Sequence, residues 1–151
     1  MKRIIPLLLS LLAACASSQS EGTLYQPQAE PQLPNATLQT AAPLTTGVET
    51  SGSLGCGQTA WYALPVLTAA PLTMHVYGQA LENALGATAT LTFVAPNGQE
   101  LGQMILPVFA RSPNWDPREQ TFVPPVPGTY YARVTLDPTG CQRVGYRLRL
   151  N

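Results

Sequence analysis

From Pro43 onward the chain alternates apolar and polar side chains in short runs. Tyr62, Leu64 and Val66 interleave with Trp61, Ala63 and Pro65. Leu72, Met74 and Val76 interleave with Thr73, His75 and Tyr77, and Ala89, Leu91 and Phe93 with Thr88, Thr90 and Thr92. The pattern returns late in the chain, where Tyr130, Ala132, Val134 and Leu136 flank Tyr131, Arg133 and Thr135. Tyr146, Leu148 and Leu150 likewise alternate with Arg147, Arg149 and Asn151. A period of two turns one set of side chains inward and leaves the other in water, which predicts antiparallel strands. Asn97-Gly98 after Pro96 predicts a two-residue type I′ turn, whose central positions both need positive φ. Pro127-Gly128-Thr129 and Asp137-Pro138-Thr139-Gly140 mark further turns. From Met104 to Glu119 the pattern is broken by Pro107, Pro113 and Pro117, and this segment reads as one long loop. No window has the helical period. About eight strands with regular turns predict an all-β fold, an antiparallel two-sheet β-sandwich over residues 43–151.

The residues before Pro43 follow other rules. Residues 15–42 are rich in Gln, Ala, Ser, Thr and Pro without apolar periodicity, and read as a flexible tether. Asn35-Ala36-Thr37 has the form of a glycosylation sequon, which we read as chance. Residues 1–14 combine Lys2-Arg3 with the apolar stretch Ile4 to Leu12, too short to cross a hydrocarbon core that needs roughly 20 residues. Leu12-Ala13-Ala14-Cys15 resembles the bacterial lipobox at every position. That resemblance implies cleavage before Cys15, a lipid on its sulfur and further acylation of the new amine, a multi-chain anchor that holds where one chain does not. Ala16-Ser17-Ser18 carries no Asp, which in a two-membrane cell resembles a signal for the outer membrane. The expected place is the cell envelope, lipid-anchored, with the domain outside the cytoplasm.

Charge narrows the partners. Eight Lys+Arg balance eight Asp+Glu, and charged residues make up only 11% of the 151. Lys2 and Arg3 lie in the leader, so the remainder is slightly acidic and contains no lysine. Phosphate-backbone binding needs a basic surplus, so nucleic acid is excluded. Once Cys15 is assigned to lipid, Cys56 and Cys141 remain as a pair in an oxidising compartment, and a disulfide is the expectation. Free thiols and a metal pair are the alternatives, the latter weakened because His75 is the one imidazole in the chain.

The strand set also resembles a known family, the bacterial pre-peptidase C-terminal domain. The matching segments are Gly47 to Ser53, Ala60-Trp61-Tyr62-Ala63-Leu64 and Leu72-Thr73-Met74-His75-Val76. They continue with Leu91 to Gly98, Gly128-Thr129-Tyr130-Tyr131-Ala132-Arg133-Val134 and Gly145-Tyr146-Arg147-Leu148. The resemblance covers residues 43–151 and implies a jelly-roll-like sandwich, with Gly47 to Ser53 as its opening strand. Where some members of that family carry acidic calcium ligands, this chain has Ala60 and Ala87–Ala89, so no metal or other cofactor is expected.

Catalysis finds little material. His75 falls on the wet face of its strand, there is no Gly-x-Ser-x-Gly elbow, and nothing in the spacing of Glu82, Glu100, Asp116, Glu119 and Asp137 singles out a pair. A hydrolase is therefore the weakest reading. If the last two strands pair, Arg133, Arg147 and Arg149 share an outward face with Tyr131, and Trp115 in its proline-bounded loop either offers a stacking platform or folds back to cover a sandwich edge. Trp61 points outward by the same alternation, with the long loop as its expected cover. The expected role is a non-catalytic, disulfide-clamped display domain for structural or protein contacts, with envelope-glycan binding as the alternative.

Overall fold

The alternating runs become nine strands among the described residues, and a computed structural model describes residues 32–81, 88–107, 116–137 and 143–151. In chain order these are β1 (Ala42–Pro43), β2 (Glu49–Leu54), β3 (Thr59–Val66), β4 (Leu72–Ala80) and β5 (Thr88–Val94). They are followed by β6 (Glu100–Pro107), β7 (Asp116–Phe122), β8 (Gly128–Leu136) and β9 (Val144–Leu150). A first sheet has the order β1-β3-β8-β5-β6 and a second the order β2-β9-β4-β7. All pairings are antiparallel except β1 with β3. Successive strands alternate between the sheets except at the β5–β6 hairpin. Apart from the short β1, this is the strand order of a jelly roll.

The inward halves of the alternation form the core. Leu64, Leu91 and Phe93 of the first sheet face Met74, Val76 and Leu148 of the second, all essentially inaccessible. Each such side chain contributes about 1.5–3 kcal/mol on leaving water. Phe93 and Phe122 stack across the sheets with centroids 4.4 Å apart. The hydroxyls of Tyr62 and Tyr146 meet at 2.7 Å in the same interior. Burial first, and then the neighbouring Tyr62 hydroxyl, hold the Tyr146 phenol far above the ordinary tyrosine pKa. Gly52, paired with Tyr146, leaves room for that ring, because a Cβ here would run into the phenol. Tyr130 O–H donates to the Val126 carbonyl at 2.8 Å and so folds back the connection that carries the chain from β7 to β8.

Four expectations change. The folded part begins ahead of Pro43. Leu33 packs against the core and Asn35, 9% exposed, runs beside Trp61. Trp61 N–H donates to the Asn35 carbonyl (2.8 Å), and Asn35 Nδ2 donates to the Trp61 carbonyl (3.0 Å). A 3₁₀ turn, Leu38–Thr40, capped by Thr37, then leads into β1. These residues look like linker because they have no alternation, yet they supply backbone partners to the outer edge of β3. The same edge explains Pro65: β1 ends opposite Ala63, so the N–H that proline lacks has no strand to reach.

The segment from Met104 to Glu119 is not one loop. β6 continues to Pro107 and β7 starts at Asp116, while residues 108–115, Pro113 and Trp115 among them, lie outside the described residues. Both strands are sheet edges, where proline removes no obligatory ladder bond. The hairpin at Asn97-Gly98 also differs from a two-residue turn. Gly98 N–H bonds the Ala95 carbonyl at 2.9 Å, placing Pro96 and Asn97 at the centre, and Gly98 follows at φ 86°. A register shift between Phe93 and Val94 accompanies it. Pro96 presets the φ of the first central position, so a three-residue loop with glycine last fits better than a turn with two positive φ values. Finally, the strand expected at Gly47 to Ser53 runs Glu49–Leu54 and is the second strand, with β1 ahead of it.

Candidate functional site

The sandwich has two outer faces, and the structure divides the expected arginine face between them. β8 lies in the first sheet and β9 in the second, so Tyr131 and Arg133 point away from Arg147 and Arg149. Alternation specifies the wet side of each strand; the β8–β9 connection crosses from one sheet to the other, and no local pattern encodes that. Trp115 lies outside the described residues.

On the outer face of the second sheet the register aligns Glu49, Arg149, His75 and Glu119 in one row across the strands. Arg147 Nη1 bonds Glu49 at 3.2 Å, and its guanidinium lies 5.8 Å from the Tyr77 ring centre. Arg149 Nε donates to Asn151 Oδ1 at 3.0 Å, and His75 Nδ1 is 3.5 Å from Glu119. Thr73 and Thr121 share a 2.8 Å hydroxyl bond. This is a polar exterior laced by cross-strand pairs, each contributing little because both partners remain in water.

The outer face of the first sheet is built differently. Trp61 on β3 is directly opposite Arg133 on β8, which is opposite Thr92 on β5. The next row outward along the strands holds Ala63, Tyr131 and Val94. Trp61 and Tyr131 meet edge to face, centroids 6.5 Å apart at 78°. The Arg133 guanidinium lies over the indole at 5.4 Å, and its Nη2 bonds Glu100 at 2.6 Å and Thr92 Oγ1 at 3.4 Å. Thr92 and Val94 are only 2% and 3% exposed although they point away from the core. On the other side of Trp61, Thr59 and Thr135 share a hydroxyl contact at 3.3 Å. Sequence reasoning placed Tyr131 and Arg133 outward but missed Trp61 as their partner and Glu100 as the counter-ion. Both depend on register between strands far apart in sequence.

No family model matches the chain, and no curated protein matches it. Solved structures do. PliG, a periplasmic inhibitor of g-type lysozyme from Aeromonas hydrophila, is 17% identical with a TM-score of 0.47, over 74% of this chain and 96% of that one. A carbohydrate-binding module from Cellvibrio mixtus lichenase 5A, solved with cellotriose, is 12% identical with a TM-score of 0.45, over 71% and 88%. The enzymatically active domain of a bacteriophage CBA120 tailspike protein is 10% identical with a TM-score of 0.45, over 74% of this chain and 18% of that one. These are likenesses of architecture.

Proposed function

We propose that the protein is a non-catalytic envelope lipoprotein that displays this sandwich for contact with a partner, through the outer face of the first sheet. The observation that carries the reading is the ordered Trp61–Tyr131–Arg133–Glu100 cluster, large aromatic groups fixed on an exterior where the core has no use for them. Membrane attachment rests on Leu12-Ala13-Ala14-Cys15. No helix of the described residues is long and apolar enough to cross a membrane. Binding is favoured over hydrolysis by how the carboxylates are used: Glu100, Glu49 and Glu119 each face a cationic or imidazole partner on an open sheet exterior, with Glu100 on the opposite side from the other two.

The Cys56–Cys141 bridge belongs to the same proposal. Cys56 lies in the turn between β2 and β3, and Cys141 lies outside the described residues. The backbone on both sides of Cys141 is stitched to the backbone on both sides of Cys56. Val144 pairs with Leu54, and Leu136 N–H donates to the Gln58 carbonyl at 3.1 Å.

The test is a crosslinking capture from intact envelopes with the native chain and with Trp61→Ala, alongside mass spectrometry of the N-terminal peptide. A lipidated Cys15, and a captured partner that the variant loses, support the proposal. An unmodified Cys15 overturns the anchor, and capture indifferent to Trp61 overturns the contact face.

A further inference from the structure

We propose that the outer face of the first sheet is a saccharide site for a neutral glycan chain; this rests on the binding-module reading above and names its ligand. Two half-exposed aromatic rings stand at right angles on that face, Trp61 and Tyr131. Such a corner offers a stacking wall to the C–H face of a sugar ring and an edge to orient it. Around it the side chains are hydroxyls and amides rather than free charges. Thr59, Thr135 and Thr90 form one cross-strand row that ends in the exposed, apolar Ile105 on β6, and Gln103 lies beyond Thr92 in the next. Hydroxyl and amide groups both donate and accept, which matches sugar hydroxyls.

Charge decides between neutral and acidic ligands. Among the described residues the cation on this face is Arg133, held by Glu100 at 2.6 Å and stacked on Trp61. An anionic ligand would have to displace a carboxylate already making a short charge-assisted bond, whereas a neutral one keeps the pair and adds hydrogen bonds at its edge. The surface is also fixed before any ligand arrives. Asn35 pins the Trp61 backbone through two hydrogen bonds, and Arg133 is held by Glu100 and Thr92, so little side-chain freedom remains to be lost. The rows from Thr59 through Trp61 to Ala63 span about 13 Å along the strands, an open strip suited to several rings of a chain rather than a closed pocket for one.

The experiment uses the full mature chain carrying Cys15→Ser. It is titrated calorimetrically with cellohexaose, chitohexaose and laminarihexaose as neutral probes and oligogalacturonate as the acidic one. Binding of a neutral probe at millimolar concentration or below is expected, insensitive to salt and weakened about tenfold or more by Trp61→Ala and by Tyr131→Ala. Thr135→Glu leaves the aromatic corner in place and is expected to weaken binding as well, so the site can be tested should an aromatic variant misfold. Silence from all three neutral probes, or preferential and salt-sensitive binding of the acidic one, overturns the inference. If no glycan binds while Trp61→Ala still abolishes capture of a protein partner, the glycan inference falls and the binding-module reading stands. If Trp61→Ala alters neither, both fall.

Discussion

The phenol oxygens of Tyr62 and Tyr146 lie 2.7 Å apart in the core, one ring carried by β3 of the first sheet and the other by β9 of the second. With 3% and 2% of their surfaces accessible, neither hydroxyl can turn to water, so each is the other's replacement for solvent. Tyr62→Phe or Tyr146→Phe alone should lower unfolding free energy by about 1–3 kcal/mol, and the double variant by clearly less than the sum. Chemical denaturation of the four proteins measures that coupling; strict additivity would show that the two hydroxyls stabilise the fold independently.

The same pair sets an alkaline limit. The folded-state pKa of Tyr146 is raised, so the native state keeps its proton after the unfolded chain has lost it at its ordinary value near 10. Stability from this group is complete below pH 10. Above it, stability falls by about 1.4 kcal/mol per pH unit until the folded pKa is reached. Denaturation midpoints measured from pH 8 to 11 should therefore decline more steeply in the native protein than in Tyr146→Phe.

Gly52→Ala should be among the most damaging single-methyl changes in the sandwich. The added carbon meets the Tyr146 ring, which is locked against Tyr62 and has little room to retreat. A loss of about 1–3 kcal/mol is expected from overpacking, read as a lowered thermal midpoint. Combining Gly52→Ala with Tyr146→Leu should recover part of it.

Asn35→Ala should detach the entering segment from β3. The side-chain amide bonds the Trp61 carbonyl in a half-buried setting, so about 1–2 kcal/mol is at stake, together with faster amide exchange at Trp61. The contact also makes Asn35 a poor glycan acceptor, since its Nδ2 is engaged within the fold.

If Cys56 is paired with Cys141, Cys56→Ser should cost about 4–5 kcal/mol in the chain-entropy description, and a reducing agent should lower the native midpoint by a similar amount. Equal thermal midpoints with and without reductant would remove the proposed bridge. Glu100→Gln makes the opposite kind of prediction. The Glu100 side chain is 57% exposed, so stability should move by less than about 1 kcal/mol while Arg133 loses the partner that holds it over Trp61. Near-ultraviolet circular dichroism of the indole reports the change.

What the amino-acid order determined by itself was local: the alternating runs as strands and which side of each faces the core, while the proline-broken β6 and β7 escaped it. Tyr62, Leu64, Val134 and Leu148 are inside because a strand turns alternate side chains to opposite faces, a property needing no knowledge of neighbours. Tertiary structure decided everything that depends on pairing at a distance. It placed Arg133 with Trp61 and Glu100 and sent Arg147 and Arg149 to the far side. It also drew two residues that are linker by composition into the fold, Leu33 against the core and Asn35 onto the edge of β3. Those choices follow from burying two sheets against one another, an energy summed over contacts between residues far apart in the chain, and a pattern with a period of two carries no record of which strand lies beside which.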